Sequence, residues 1–173
     1  KHKKKRPLII LTPKSLLRLP EAKSVKEEFT KGKFNEIIDD NIKDKSAVKR
    51  VIITSGKVYY DLIKYRKEIS NTDTALVRLE QYYPYKNNGM KEVLASYSKT
   101  KQVCWVQEEP RNMGAWNFLA ILLNNDLSAD QKLYCVTKEE SASPAEGSLS
   151  KFNETQREIM RLAFSDEIKP VFN

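Results

Sequence analysis

The sequence holds few of the residues on which catalytic and metal sites usually depend. It has one histidine (His2), two cysteines and five glycines among 173 residues. A single histidine excludes Ser–His and Cys–His nucleophilic sites within this chain, and metal sites built from several histidines. Glycine makes up about 3% of the residues, against a usual ~7%, which disfavours glycine-rich phosphate loops. Two cysteines form no disulfide framework and indicate a reducing compartment.

Long apolar runs are also missing. No stretch approaches the roughly 20 apolar residues of a membrane helix, so the sequence predicts no integral membrane protein. Hydrophobic residues make up 40% of the chain and charged residues 31%. This balance supplies enough apolar surface for one core, and the length of 173 residues predicts a single domain, over residues 7–173.

The positive charge is concentrated near the amino terminus. Residues 1–70 hold 19 Lys and Arg against 9 Asp and Glu, a net +10, whereas residues 71–173 hold 12 against 14, a net −2. Half of the excess comes from Lys1, Lys3, Lys4, Lys5 and Arg6. We interpret residues 1–6 as a basic linker, because no aromatic residues are interleaved for base stacking. The alternative is a stand-alone α/β module that contacts nucleic acid through this tail.

Apolar runs that alternate with helical stripes predict a three-layer α/β fold with a mostly parallel sheet and helices on both faces. The runs are short and continuous, which is typical of strands covered on both sides. Residues 20–48 are polar and contain Pro20 and Gly32, so we predict an irregular insertion there. The predicted strands are 8–12, 51–54, 75–79, 102–107 and 133–136, and the helical stripes lie within 58–63, 90–97, 115–123 and 152–163.

One candidate anion site follows the second predicted strand. Ser55, Gly56 and Lys57 stand where a helix begins, so an anion could meet helix N–H groups and the lysine ammonium. The segment lacks the upstream glycine and the Ser or Thr after Lys that a nucleotide P-loop needs. Two interpretations remain open: a capped helix with a solvated lysine, or a site for a carboxylate or an effector anion.

A second cluster of polar residues lies at the end of the fourth predicted strand. Gln107, Glu108 and Glu109 end this strand, and Asn112 and Trp116 follow it. Paired carboxylates at the carboxyl end of a strand lie where α/β sheets usually place their sites. Adjacent residues of a strand point to opposite faces, however, so the two carboxylates are poorly placed to act as one acid–base pair. We therefore predict an interface or structural role for these five residues.

Several motifs occur in an order that resembles a known family. The chain carries RPLIILTPKSLLR over Arg6–Arg18 and SGKVYYDL over Ser55–Leu62. Further matches are VKR over Val48–Arg50, RLEQYYP over Arg78–Pro84, QEEP over Gln107–Pro110, NMGAW over Asn112–Trp116 and ASPA over Ala142–Ala145. Together they resemble the C-terminal region of 2-oxoglutarate dehydrogenase, the thiamine-dependent decarboxylating component, from about Arg6 to Phe164.

The resemblance implies a fold like the transketolase C-terminal domain, with a five-stranded, mostly parallel sheet and one antiparallel edge strand. The full enzyme of that family oxidatively decarboxylates 2-oxoglutarate in the tricarboxylic acid cycle, using thiamine diphosphate and Mg²⁺. Its succinyl group passes to the lipoyl arm of a partner succinyltransferase. The family's Gly-Asp cofactor signature and catalytic histidines are absent here, so we expect this chain to bind no cofactor or metal and to supply no catalytic residue.

The resemblance also implies partners and a location. We expect contacts with other domains and with the second subunit of a homodimer, in the bacterial cytoplasm or the mitochondrial matrix. The helix over residues 115–123 is apolar nearly all round and is predicted to be deeply buried. This helix and the exposed-looking Tyr82, Tyr83 and Tyr85 are candidates for docking against other domains or the second subunit. Ordinary core and surface positions remain the alternative for these tyrosines.

Some bacterial relatives bind an acyl-CoA effector in this domain through basic residues. The resemblance implies candidate anion contacts at Arg6, Ser55, Lys57, Gln131 and Lys138. Those relatives carry paired arginines where this chain has Lys138 and Glu139. Because Glu139 replaces a basic residue, we favour an internal carboxylate or plain solvation as the partner of Lys57.

Overall fold

A computed structural model gives the fold and describes residues 6–7, 9–85 and 89–172. The chain divides into two compact units, Lys1–Lys33 and Phe34–Asn173. The first unit contains two short 3₁₀ helices and the six-residue helix α1, and none of the three buries a residue. Their bounds are Lys14–Arg18, Pro20–Ala22 and, for α1, Lys26–Lys31.

The second unit is built on one five-stranded sheet with the strand order β1-β3-β2-β4-β5. Its strands are β1 (Ile37–Ile38), β2 (Arg50–Thr54), β3 (Thr74–Leu79), β4 (Gln102–Pro110) and β5 (Lys132–Lys138). β1 pairs antiparallel with β3, and every other neighbouring pair is parallel. This arrangement confirms the predicted mostly parallel sheet with one antiparallel edge strand.

The predicted strand over residues 8–12 is wrong for the residues that can be described. Leu8 lies outside the described residues, and residues 9–12 form no strand. The fifth strand is instead β1, within the stretch predicted to be irregular, where Ile37 pairs with Leu79 and Ile38 with Arg78. A β-branched run forms a strand only where a neighbouring strand is available for hydrogen bonding. The composition of the run does not show whether such a neighbour exists.

Four helices cover the sheet: α2 (Val58–Glu68), α3 (Gly89–Ser96), α4 (Trp116–Asp126) and α5 (Leu149–Ala163). One apolar core joins α3 and α4 to the face of the sheet that carries Val51, Ile53 and Trp105. A second core joins α2 and α5 to the opposite face, which carries Ile52 and Val106. The central strands β2, β3 and β4 are buried on both sides, which explains their continuous apolar sequences. The three-layer α/β prediction is therefore confirmed.

The prediction that the 115–123 helix is deeply buried holds for one face only. α4 buries Trp116, Leu119 and Leu123 against the sheet. Phe118 is 47% exposed and Ile121 is 67% exposed on the outer face. A helix in an outer layer has a single sheet-facing stripe, so an all-round apolar sequence leaves part of its apolar surface in solvent.

Two aspartates terminate the edge strand β1. The Asp40 carboxylate accepts the Leu76 N–H at 2.8 Å and forms an ion pair with Arg66. In the antiparallel register of β1 and β3, position 40 lies opposite Leu76, so this side chain takes the hydrogen bond that a further strand residue would take. Asp39 accepts the Tyr97 hydroxyl at 2.6 Å and pairs with Lys45. The edge strand therefore ends after two residues, and the Leu76 N–H of β3 still has a hydrogen-bond acceptor.

None of the helices in the described ranges combines the length and the apolar character needed to cross a bilayer.

Candidate functional site

The candidate site lies at the carboxyl edge of the sheet, between the ends of β2 and β4. The chain leaves β2 toward α2 on one face and leaves β4 toward α4 on the other. Such a reversal between neighbouring parallel strands opens the crevice in which α/β proteins usually bind ligands. A cavity of about 330 Å³ occupies this position, and we call it the switch-point cavity. Its lining comprises Ser55, Tyr82, Tyr83, Trp105, Val106, Gln107, Glu109, Gly114, Ala115 and Phe118.

The pleat of β4 assigns its polar residues to different faces. Trp105, Gln107 and Glu109 alternate along the strand, and all three line the switch-point cavity. Glu108 faces α2, where its carboxylate lies 3.8 Å from the Lys57 ammonium. Glu108 alone of the two has an ion-pair contact with a described residue, and Glu109 also lines a second cavity beside Glu108 and Lys57.

Gln107 is the hydrogen-bonding centre of this edge. Its buried side-chain oxygen accepts the Trp105 indole N–H at 2.9 Å and the Trp116 backbone N–H at 3.1 Å. Its side-chain nitrogen donates to the carbonyl of Met113 at 2.8 Å and to that of Pro110 at 3.2 Å. The amide therefore fixes the end of β4, the following loop and the first residue of α4 relative to one another.

Gly114 allows the loop to close around this amide. Its φ is +67°, in the left-handed region that favours glycine. A Cβ at position 114 would also lie 2.9 Å from the Gln107 side-chain nitrogen. Both the backbone conformation and the available space therefore require glycine here.

Lys57 is held by carboxylates of the same unit. Its ammonium lies 2.8 Å from Asp61, one helical turn on, and 3.8 Å from Glu108. Burial lowers the pKa of Lys57, but the hydrogen bond and charge of Asp61, aided by Glu108, outweigh it and leave the pKa above its ordinary value. Burial raises the pKa of the Glu108 carboxyl, and the Lys57 charge only partly opposes this.

Two further side chains, Lys138 and Asn112, connect the loop between β5 and α5 to the same edge. Lys138 forms an ion pair with Glu146 at 2.9 Å and donates to the Pro144 carbonyl at 2.8 Å. The Asn112 amide donates to the Ser141 carbonyl at 3.0 Å and accepts the Ser141 N–H at 3.1 Å. The Lys138 ammonium and the Asn112 amide thus already have protein partners.

A larger cavity of about 610 Å³ lies on the α2–α5 side of the edge. Its lining includes Lys57, Glu108, Lys138 and Gln156. Both polar atoms of the Gln156 amide are buried and make no hydrogen bond with a described residue. None of the described carboxylates near this cavity forms a hydrogen bond with the Gln156 amide.

The three candidate docking tyrosines have different surroundings. Tyr82 packs edge-on against Trp105 with ring centroids 6.2 Å apart. Tyr83 is 82% exposed. The Tyr85 hydroxyl donates to Asp126 at 2.6 Å, which ties this loop to the end of α4. Tyr82 and Tyr83 remain available to a ligand at the switch-point cavity, whereas Tyr85 has a structural contact.

The predicted anion residues of the second unit do not converge on one point. Ser55 lines the switch-point cavity, and Lys57 and Lys138 line the larger one. Gln131 immediately precedes β5, at the amino edge of the sheet, where its side-chain oxygen accepts the Ser128 N–H. Arg6 belongs to the first unit. Gln131 precedes a parallel strand and Ser55 follows one. The sequence therefore already indicates that the two residues lie at opposite edges of the sheet.

Several residues that define this edge are not among those predicted from the sequence. Asp61 stands four residues after Lys57, a spacing typical of helical ion pairs, and could have been found from that signal. Glu146 and Gln156 reach the edge through the loop after β5 and through α5. No local pattern in the sequence indicates those two contacts.

The cysteines of the adjacent strands β4 and β5 are poorly suited to nucleophilic chemistry. Burial raises the pKa of Cys104 to about 12 and raises the pKa of Cys135 as well. A raised pKa keeps both thiols protonated near neutral pH, and the thiolate is the nucleophilic form.

Comparisons with known proteins give one consistent result. Residues 23–164 match the family model described as 2-oxoglutarate dehydrogenase C-terminal. The chain is 43% identical over 162 residues to the 2-oxoglutarate dehydrogenase E1 component of Cupriavidus necator, covering 93% of this chain and 17% of that protein. It is 41% identical over 169 residues to the same component of Rickettsia typhi (95% and 18%), and 38% over 165 residues to that of Haemophilus influenzae (95% and 18%). The chain thus spans less than a fifth of the length of these curated relatives.

Replacing Gln107 tests its structural role. We expect Gln107→Leu to lower the free energy of unfolding by about 3–5 kcal/mol, because it leaves two buried N–H donors and two carbonyls unpaired. The matched control is Gln131→Leu, at a buried glutamine with one backbone hydrogen bond, for which we expect about 1 kcal/mol. Urea unfolding followed by circular dichroism measures both. A Gln107→Leu variant as stable as the Gln131→Leu variant would contradict this role.

Glu108 predicts a pH dependence of stability. Because its pKa is raised in the folded chain, the folded state holds this proton more tightly than the unfolded state, and stability falls as pH rises above the ordinary value of 4.5. Glu108→Gln removes this titration. The stability of the variant relative to the native chain should therefore increase between about pH 4 and about pH 7. Thermal unfolding across this range, with the exposed Glu140→Gln as control, measures it. A relative stability that falls with pH would refute the assignment.

Proposed function

Because the chain belongs to the 2-oxoglutarate dehydrogenase C-terminal family, we propose that it is a non-catalytic assembly domain of that enzyme. The whole enzyme would oxidatively decarboxylate 2-oxoglutarate and transfer succinyl to a lipoyl carrier. The relatives named above carry this enzyme's name, and the chain corresponds to less than a fifth of each.

The bonding pattern at the carboxyl edge is the observation that carries the proposal. Gln107 joins the end of β4 to α4, and Lys57 and Lys138 are paired with Asp61 and Glu146. Side chains held in this way stabilise a surface, whereas a general acid or base must be free to exchange protons with a substrate. This pattern supports a structural role for the edge.

The residues that the structure describes do not fit thiamine diphosphate with Mg²⁺. Within the described ranges, no group of three or more His, Cys, Asp or Glu side chains could hold a metal ion. The two lysines at the edge, which could contact a diphosphate, already have carboxylate partners. We propose that cofactor and metal belong to other parts of the enzyme, and no catalytic step is assigned to this chain.

The outer face of α4 and the adjacent loop form the docking surface in this proposal. Phe118, Ile121 and Tyr83 expose apolar or aromatic surface close to the carboxyl edge. Exposed aromatic residues beside a rigid scaffold are typical of protein interfaces. We propose that this surface contacts another domain or the second subunit of a homodimer. The lipoyl-bearing succinyltransferase would be a further partner of the whole complex.

The domain limits and the location belong to the same proposal. Residues 1–6 would link this domain to a preceding one, and residues 7–173 would form the domain itself. The complex would operate in the bacterial cytoplasm or the mitochondrial matrix. The alternative of a nucleic-acid module gains no support, since the matched family and the relatives named above are dehydrogenases.

Cofactor binding by the chain alone tests the non-catalytic role. We expect isothermal titration calorimetry with thiamine diphosphate and Mg²⁺ to give no binding in the micromolar range. We also expect no release of CO₂ from 2-oxoglutarate. A full-length homologous dehydrogenase measured in parallel is the positive control. Micromolar binding or turnover by this chain would refute the proposal.

A further inference from the structure

The switch-point cavity has aromatic walls and one acidic side chain, and its ligand is not assigned by the proposed function. Four of its lining residues carry rings: Tyr82, Tyr83, Trp105 and Phe118. Glu109 supplies the carboxylate. We propose that this cavity binds the side chain of an arginine presented by another protein segment. The inference rests on the proposed assembly role, because it names the chemistry of the partner at that surface.

The ring arrangement suits a planar cation. Trp105 is 1% exposed and forms a rigid inner wall, with Tyr82 edge-on against it. Phe118 and Tyr83 are more exposed and stand at the mouth. Aromatic faces attract cations through the ring quadrupole, and the attraction increases where water is excluded. A guanidinium can stack on such rings and still donate hydrogen bonds from its edge.

The charge of the cavity also favours a cation. Glu109 forms no ion pair with any residue that the structure describes. Burial raises the pKa of the Tyr82 hydroxyl, a hydrogen bond with Ser55 lowers it, and the charges of Glu109 and Glu80 raise it further. The negative charge of Glu109 therefore acts on Tyr82, and among the described residues its carboxylate has no ion-pair partner that a guanidinium would have to displace.

The amino end of α4 opposes this charge only weakly. A helix amino terminus carries about half a positive charge, through its free N–H groups. Here the Trp116 N–H donates to Gln107, and the N–H groups of Phe118 and Leu119 donate to the Ala115 carbonyl. The full negative charge of Glu109 therefore outweighs the remaining helix dipole.

The size and chemistry of the cavity together select arginine. A volume of about 330 Å³ lies at the lower end of the range for small-molecule pockets, which suits one long side chain better than a cofactor. Lysine would fill the cavity less well, because its compact ammonium is strongly hydrated and cannot stack on the rings.

Nuclear magnetic resonance titration of the chain with N-acetyl-arginine amide tests this inference without any enzyme activity. We expect saturable shifts of the Trp105 indole N–H and the Gly114 amide, with a dissociation constant in the millimolar range. N-acetyl-citrulline amide has the same shape without the charge and should bind at least about fivefold more weakly. Equal binding of citrulline, of a lysine amide or of an aspartate amide would overturn the proposal, as would the absence of saturable shifts.

Variants identify the cavity as the location of binding. Glu109→Gln removes the charge, and Phe118→Leu removes a ring while keeping apolar bulk. Each should weaken arginine binding at least about fivefold. Ile69→Ala, at an exposed apolar position at the end of α2 and outside the docking surface, should leave it unchanged. Unaltered binding in Glu109→Gln and Phe118→Leu would place the arginine elsewhere and refute the inference, even if the chain proved to be an assembly domain.

Discussion

The buried amide of Gln107 is the interaction on which the carboxyl edge depends. It bonds two tryptophans, one inside β4 and one at the start of α4, and it closes the loop between them. Because a buried amide must satisfy both its donor and its acceptor groups, this side chain permits one arrangement of strand, loop and helix. Gly114 makes the arrangement possible, since no side chain would fit beside the amide.

Once this edge is fixed, the pleat of β4 separates two chemical environments. Glu108 faces Lys57 and the larger cavity, where each cation has a carboxylate partner. Glu109 lines both this larger cavity and the switch-point cavity with its aromatic rings, and it forms no ion pair with a described residue. In the larger cavity the lysines are paired with carboxylates. In the switch-point cavity the Glu109 charge has no such partner among the described residues, and aromatic rings face the solvent. That contrast supports a domain that docks rather than one that catalyses.

The parts of the fold that depend on local pattern could be predicted from the sequence. Strands β2 to β4 are buried on both faces, so their continuous apolar runs reveal them. The edge strand β5 buries only Leu133 on one face and Val136 on the other. The two-residue strand β1 could not be predicted, because its end depends on Asp40 meeting Leu76 across the sheet. The same limit applies to Glu146 and Gln156, which reach the edge through tertiary contacts. Residues 9–12 show the opposite error, a strand-like composition without a strand.

The central claim is that this domain acts by assembly through the outer face of α4. It is tested most directly by supplying the chain in trans to the same enzyme lacking its C-terminal domain, and measuring 2-oxoglutarate dehydrogenase activity. The account predicts that the native chain restores activity and that the double variant Phe118→Asp with Ile121→Asp restores at least about tenfold less. Ile69→Asp, at an exposed apolar position at the end of α2, should restore as much as the native chain. Full activity without this chain, or equal restoration by the double variant, would contradict the account.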